Sequence, residues 1–177
     1  MALLDIHLLG SPVLRATAAE IVAVDDATRE FIDSLYETMD AAEGVGLAAN
    51  QVGVTTRVAV IDADGQRFVM VNPKIVLAMG RDKAEEGCLS IPEVYADVTR
   101  AAQITLEAQD RDGAAYRLEA GGLVARAIQH EIDHLDGILF LDHLSPLKRQ
   151  VMVARYRREH RGESLTRSVA PPSSKRS

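Results

Sequence analysis

The pattern His130-Glu131-Ile132-Asp133-His134 constrains this chain more than any other stretch. Residues four apart lie on one face of a helix about one turn apart, so a helix here aims both imidazoles at a common point. Two neutral imidazoles at that spacing suit a divalent metal. A glutamate beside the first of them suits a general base acting on a water held there. An amphipathic helix with solvated histidines is the plain alternative, and the rest of the chain has to decide between the two.

Around this pattern the periodicities alternate between helix and strand. Residues 27–42 predict a helix, because Asp25 or Asp26 can cap it and Phe31, Leu35 and Met39 recur at i, i+4 and i+8, with Gly44 as its stop. Short strands are predicted at 57–61, 68–71 and, beyond Pro73, at 74–78. Residues 104–109 and 114–119 alternate around Asp110-Arg111-Asp112-Gly113 and predict a hairpin. That acidic quartet is too short for a calcium loop and lacks the distal glutamate. The metal-pattern helix follows Gly121-Gly122, offers Leu123, Ala127, Ile128 and Leu135 for packing, and ends at Gly137. Ser145-Pro146 opens a last helix to about residue 160, with Leu147, Val151 and Ala154 as the stripe expected to dock on the body.

This order predicts an α+β fold: mainly antiparallel sheets packed around a central metal-binding helix, with an N-terminal and a C-terminal helix. The expected organisation is one catalytic domain over residues 1–162 and a basic, disordered tail over 163–177, where Ser, Pro and basic residues collect. A chain of 177 residues with 47% hydrophobic and 26% charged residues can bury a core as one domain. No apolar run approaches the roughly 18 residues of a membrane span, so no membrane partner is expected. The opening residues carry no basic leader or cleavage site, which predicts a cytoplasmic protein. The net charge of -6 is uneven: residues 146–177 carry +7 and the remainder -13. A basic end on an acidic body suits a polyanion such as RNA or a membrane surface, with a solvated helix and tail as the alternative.

Cys88, the one cysteine, excludes an internal disulfide and is the natural third ligand. A thiolate with two imidazoles suits zinc or iron and leaves a fourth position open, as catalytic sites do. His143 is a possible fourth ligand, but its spacing does not aim it at the metal. Two other readings of Cys88 stay open, a hydrolase nucleophile and an inert buried thiol. The first leaves Glu131 without a task. Gly44-Val45-Gly46-Leu47-Ala48-Ala49 imitates a dinucleotide fingerprint but follows a helix rather than a strand, so no nucleotide cofactor is expected.

Three stretches together carry a resemblance: Gly44-Val45-Gly46-Leu47-Ala48-Ala49-Asn50-Gln51, Glu86-Gly87-Cys88-Leu89-Ser90, and Gln129-His130-Glu131-Ile132-Asp133-His134-Leu135. In order and spacing they resemble the motifs of peptide deformylases of the bacterial type with a C-terminal helix. The likeness runs from Pro12 to Lys148. It implies hydrolysis of the formyl group from the N-terminal formylmethionine of newly synthesised polypeptides, releasing formate. By motif position it implies Cys88, His130 and His134 as metal ligands and Glu131 as the acid/base. Gln51 and the Leu89 N–H would be oxyanion donors. Val45, Gly46 and Gly87 would lie beside the substrate backbone, and Leu123 and Ala127 would line the methionine pocket. The family typically uses Fe²⁺ and accepts Zn²⁺, Ni²⁺ or Co²⁺, and related enzymes dock on the ribosome through the C-terminal helix. Two positions depart from the pattern: Tyr95 stands where some relatives carry a peptide-holding arginine, and Arg126 replaces an apolar residue before His130. The rival functions are an H-E-x-x-H metallopeptidase and a non-catalytic, deformylase-like metal-binding protein on the ribosome.

Overall fold

In the computed structural model, which describes residues 2–171, a short strand β1 (Ile6–His7) precedes helix α1 (Asp26–Ala41). Asp25 caps α1 by accepting from the Thr28 N–H at 2.8 Å, as its position predicts. The helix stops one residue earlier than the glycine suggests, since Glu43 rather than Gly44 takes the left-handed conformation (φ 57°). Ile32, Leu35 and Met39 are fully buried and pack with Leu47, Val58, Val60 and Val71 of the strands that follow.

Those strands are β2 (Gly46–Ala48), β3 (Val58–Ala63) and β4 (Gln66–Met79). β4 is one strand, not the two expected on either side of Pro73. The ladder slips between Val71 and Lys74, with Asn72 at φ 50°. A bulge is where a residue without an N–H does not interrupt the pairing. Next come β5 (Asp82–Cys88) and β6 (Ile91–Arg100), which sequence alternation alone does not announce. They form a separate two-stranded hairpin. Strands β7 (Gln103–Gln109) and β8 (Ala115–Gly121) make the expected hairpin, with Asp110 Oδ1 accepting from Asp112 and Ala114 N–H at 2.9 Å. The five-stranded sheet runs β2-β3-β4-β7-β8, antiparallel throughout.

Helix α2 (Gly122–Leu135) carries the metal pattern and lies on this sheet. Its Ala125, Ile128, Ile132 and Leu135 join Ala59, Ile61, Met70 and Leu106 in one core. That places the opposite shoulder of α2, with His130 and His134, against the β5–β6 hairpin. Helix α3 (Pro146–Glu159) begins as predicted, with Ser145 Oγ accepting from Lys148 N–H at 3.3 Å. Its docking face is different, however. Leu147 and Val151 are 73% and 59% exposed, whereas Met152, Val153 and Tyr156 pack against Phe140, Leu141 and Ile91. Tyr156, 4% exposed, is the buried residue of this helix and marks the face turned to the body.

The tail beyond Gly162 is not free over its described part. Strand β9 (Thr166–Arg167) pairs antiparallel with β1, Ile6 opposite Arg167, and the Leu8 N–H donates to the Leu165 carbonyl at 2.8 Å. Backbone pairing with the N-terminal segment holds it, which needs no apolar pattern and so left no sign in the composition. The end of the expected tail, residues 172–177, lies outside the described residues. No described helix is long and apolar enough to cross a membrane.

Candidate metal centre

One turn of α2 brings His130 Nε2 and His134 Nε2 to 3.2 Å of each other, and the end of β5 sets Cys88 Sγ 3.3 Å from His134 Nε2. All three donor atoms lie within 4.8 Å of one another, the one such group among the described residues. Ligand bonds of about 2.0–2.1 Å to nitrogen and 2.3 Å to sulfur, at tetrahedral angles, put N···N near 3.3 Å and S···N near 3.5 Å. The donor set therefore fits a divalent ion. His143 is not part of it; its Nε2 sits 2.7 Å from Asp133 Oδ2.

The tautomer of His130 follows from its neighbour. Nδ1 lies 2.9 Å from Glu86 Oε1, a carboxylate oxygen that can only accept, so Nδ1 carries the proton and Nε2 presents its lone pair to the ligand point. Burial opposes charge on Glu86, yet hydrogen bonds from His130 and Arg100 hold its carboxyl well below the usual carboxylate range. Arg100 binds Glu86 through Nε and Nη2 at 2.6 and 2.9 Å and reaches Asp133 Oδ2 at 2.8 Å. Arg126 completes this buried cluster, donating to Glu86 Oε2 at 2.6 Å, to the Val98 carbonyl at 2.9 Å and to the Asp82 carbonyl at 2.8 Å. Its charge is spent within the protein, although its side chain borders the cleft. Burial works against charge on His130, but hydrogen bonds with Cys88 and Glu86 prevail and raise its pKa without a bound ion. His134 is pushed down by burial and by the neighbouring His130.

Glu131 is 2% exposed, and its Oε2 has no hydrogen-bond partner among the described residues. Burial pushes its pKa up to about 7. A carboxyl poised there can both take and return a proton. Gly46 of β2 is what lets the backbone pass this close, because a Cβ there would sit 2.8 Å from Glu131 Cγ.

Gln51, fully buried, is held at both ends of its amide. Oε1 accepts from the Ala48 N–H at 3.0 Å, while Nε2 donates to Ser90 Oγ at 3.1 Å and points toward Cys88 Sγ at 3.7 Å. Leu89 and Ser90 are the two-residue turn between Cys88 and Ile91, which pair across the hairpin. The first residue of such a turn keeps its N–H outside the ladder, which leaves the Leu89 N–H, beside Cys88, without a ladder partner.

A cleft of about 450 Å³ opens over this centre. Among its walls are Val45, Gly46, Gln51, Gly87, Cys88, Leu89, Leu123, Ala127, His130 and Glu131, so the structure brings every one of the residues singled out by motif to one place, with His134 just beneath. The sequence did not point to Ser90, Glu86, Arg100 or Arg167 as parts of it. Glu86 stood inside a quoted motif, and a carboxylate there was the available signal.

Comparison with known proteins agrees with this geometry. The family model described as polypeptide deformylase matches residues 3–150. A peptide deformylase of Chromohalobacter salexigens is 51% identical over 152 residues, covering 84% of this chain and 89% of its own. The crystal structure of a peptide deformylase from Legionella pneumophila superposes with a TM-score of 0.85 at 42% identity, covering 89% of this chain and 95% of that one. A peptide deformylase from Ehrlichia chaffeensis, solved in complex with actinonin, gives a TM-score of 0.87 at 35% identity over 91% of this chain and 99% of that one. With the three ligands, the buried glutamate and the fold all in agreement, the chain belongs to the polypeptide deformylase family.

Proposed function

We propose that this chain removes the formyl group from the N-terminal formylmethionine of newly synthesised polypeptides, releasing formate, acting as one catalytic domain that extends through β9, in the bacterial cytoplasm. The observation that carries the reading is the convergence of three donor atoms within 4.8 Å beside a buried glutamate whose Oε2 has no partner among the described residues.

A divalent ion would be held by Cys88, His130 and His134 and would supply Lewis acidity there, lowering the pKa of water toward about 7 and polarising a carbonyl. Fe²⁺ is the proposed resident ion, with Zn²⁺, Ni²⁺ or Co²⁺ able to replace it, since thiolate and imidazole donors suit all four. The protein's own groups do the rest. Glu131 takes the proton of the attacking water and returns it to the departing amine nitrogen. Charge appearing on the formyl oxygen is met by Gln51 Nε2 and the Leu89 N–H, and losing one such donor typically costs about 3 kcal/mol in the transition state. β2 is an edge strand of its sheet, and β5 has β6 on one side only. An extended substrate can therefore add as a strand along Val45, Gly46 and Gly87, with its methionine side chain between Leu123 and Ala127.

The test is anaerobic purification, metal analysis and an assay of formate release from formyl-Met-Ala-Ser. Internal cleavage of peptides would make the chain a metallopeptidase, and bound metal without formate release would make it a binding module. Activity surviving chelation with no metal bound would transfer the chemistry to Cys88. The E131Q variant is expected to keep its metal and lose turnover, and a metal-replete variant that still turns over would remove Glu131 from this role.

The exposed face of α3 carries Lys148, Arg149, Arg155, Arg157 and Arg158 beside Leu147 and Val151. We assign it to docking on ribosomal RNA, where phosphate neutralisation makes binding fall steeply with salt. Truncation before Leu147 should abolish that salt-sensitive binding.

A further inference from the structure

We infer that Arg167, delivered by the C-terminal strand β9, is a positioning residue for the oxyanion donor at Leu89. The inference rests on the deformylase reading and concerns residues beyond the 3–150 that the family model matches.

The turn that carries the Leu89 N–H is short, and its own ladder fixes only its ends, Cys88 and Ile91. Its two middle carbonyls are instead held from outside. The Ser90 carbonyl accepts from the Leu9 N–H at 2.9 Å, and the Leu89 carbonyl accepts from Arg167 Nη2 at 3.2 Å. Both donors belong to one unit, because the Leu8–Leu165 backbone bond and the β1–β9 pairing tie the segment of Leu9 to the segment of Arg167. Asp5 Oδ1 accepting from Ser168 Oγ at 3.0 Å adds a third tie. N-terminal and C-terminal segments thus clamp the turn from the same side.

Arg167 is more than a surface cation near this clamp. It lines the catalytic cleft together with Leu89 and Cys88, and its Nε is buried without a partner among the described residues. Leu89 O is the acceptor its guanidinium meets there. The Leu89 carbonyl belongs to the peptide plane after the residue and its N–H to the plane before it, so with Cys88 held by the ladder the Arg167 hydrogen bond restrains the direction of the N–H through the φ and ψ of Leu89. Oxyanion donors act only when pre-aimed, and a misplacement of about 1 Å is enough to cost on the order of 100-fold.

The test compares the metal-loaded wild type with R167A and R167K on formyl-Met-Ala-Ser. R167A should lose about 10- to 100-fold in kcat, short of the roughly 100- to 1,000-fold for removing a donor outright, with KM little changed and a full complement of metal. R167K, which can still donate to the carbonyl, should recover much of the loss. An independent readout is NMR of the metal-loaded protein, in which R167A should shift the Leu89 carbonyl ¹³C and the Ser90 amide while leaving the β5–β6 ladder resonances in place. Unaltered kcat, a change in KM alone, loss of the metal, or unmoved Leu89 and Ser90 signals would each overturn the assignment. Wild-type protein that releases no formate would sink the deformylase reading instead, whereas an active wild type with an equally active R167A removes only the role of Arg167.

Discussion

At the scale of single residues, two glycines of the cleft separate what is rigid from what can yield. A Cβ on Gly46 would lie 2.8 Å from Glu131 Cγ and 3.0 Å from its Cδ, and Glu131 is buried on a packed helix with nowhere to go. A Cβ on Gly87 would lie 2.7 Å from Tyr95 Cε1, but that ring is 60% exposed and can swing outward. Gly46→Ala should therefore lower kcat by about 100-fold with metal retained, while Gly87→Ala should cost only a few-fold, a contrast read by parallel kinetics and metal analysis. The three donors that meet here, and the buried glutamate beside them, were legible in the sequence because helix periodicity and one solitary cysteine confine them. Ser90 and Arg167 were not, because each acts through a partner at least 39 residues away that no local spacing announces.

At the scale of elements, the β5–β6 hairpin and α2 are joined through charge rather than through apolar packing alone. Glu86 and Arg100 face inward from the hairpin and Arg126 and Asp133 from α2, and the cluster ends on His130 Nδ1. This explains why the hairpin escaped a reading based on hydrophobic alternation: its inward positions include Glu86 and Arg100, which resemble solvent-facing residues until their partners are known. The same preference for the simplest apolar stripe misjudged α3, where Leu147 and Val151 face water and Tyr156 faces the body. Glu86→Gln keeps the shape of the side chain but loses the charge that orients His130. It should weaken metal affinity by about 10- to 100-fold, measured by competition with a chromophoric chelator. Unchanged affinity would mean that Arg100 and Arg126, not His130, are what Glu86 serves.

At the scale of the whole molecule, the site is assembled from β2, the 3-10 turn Ala49–Val52 that follows it, the β5–β6 hairpin, α2 and the tail, so the stability of the fold and the protonation of the site are coupled. Glu131 has an ordinary value of 4.5 that burial raises to about 7 in the folded, metal-free protein. Between those values the folded state binds more protons than the unfolded one, so its contribution to stability falls as pH rises through the window. A shift of that size corresponds to about 3 kcal/mol of lost stability once the carboxylate is ionised at neutral pH. His134, pushed below its ordinary 6.5 by burial, acts in the opposite sense, gaining stability as pH rises toward 6.5. The pH dependence of the metal-free wild type alone therefore mixes these two with His130, whose raised pKa makes it lose stability as pH climbs above 6.5. The difference from E131Q removes the glutamate together with the charge that helps raise His130: E131Q should gain about 3 kcal/mol over the wild type from pH 4.5 to pH 7 in urea unfolding. Loading the metal should shrink that difference, because a cation beside Glu131 stabilises its ionised form and offsets the burial that raised it. A metal-free difference that stays flat across the window would show that Glu131 is already ionised at pH 5, and with it that the buried carboxyl is not held ready as the proton carrier.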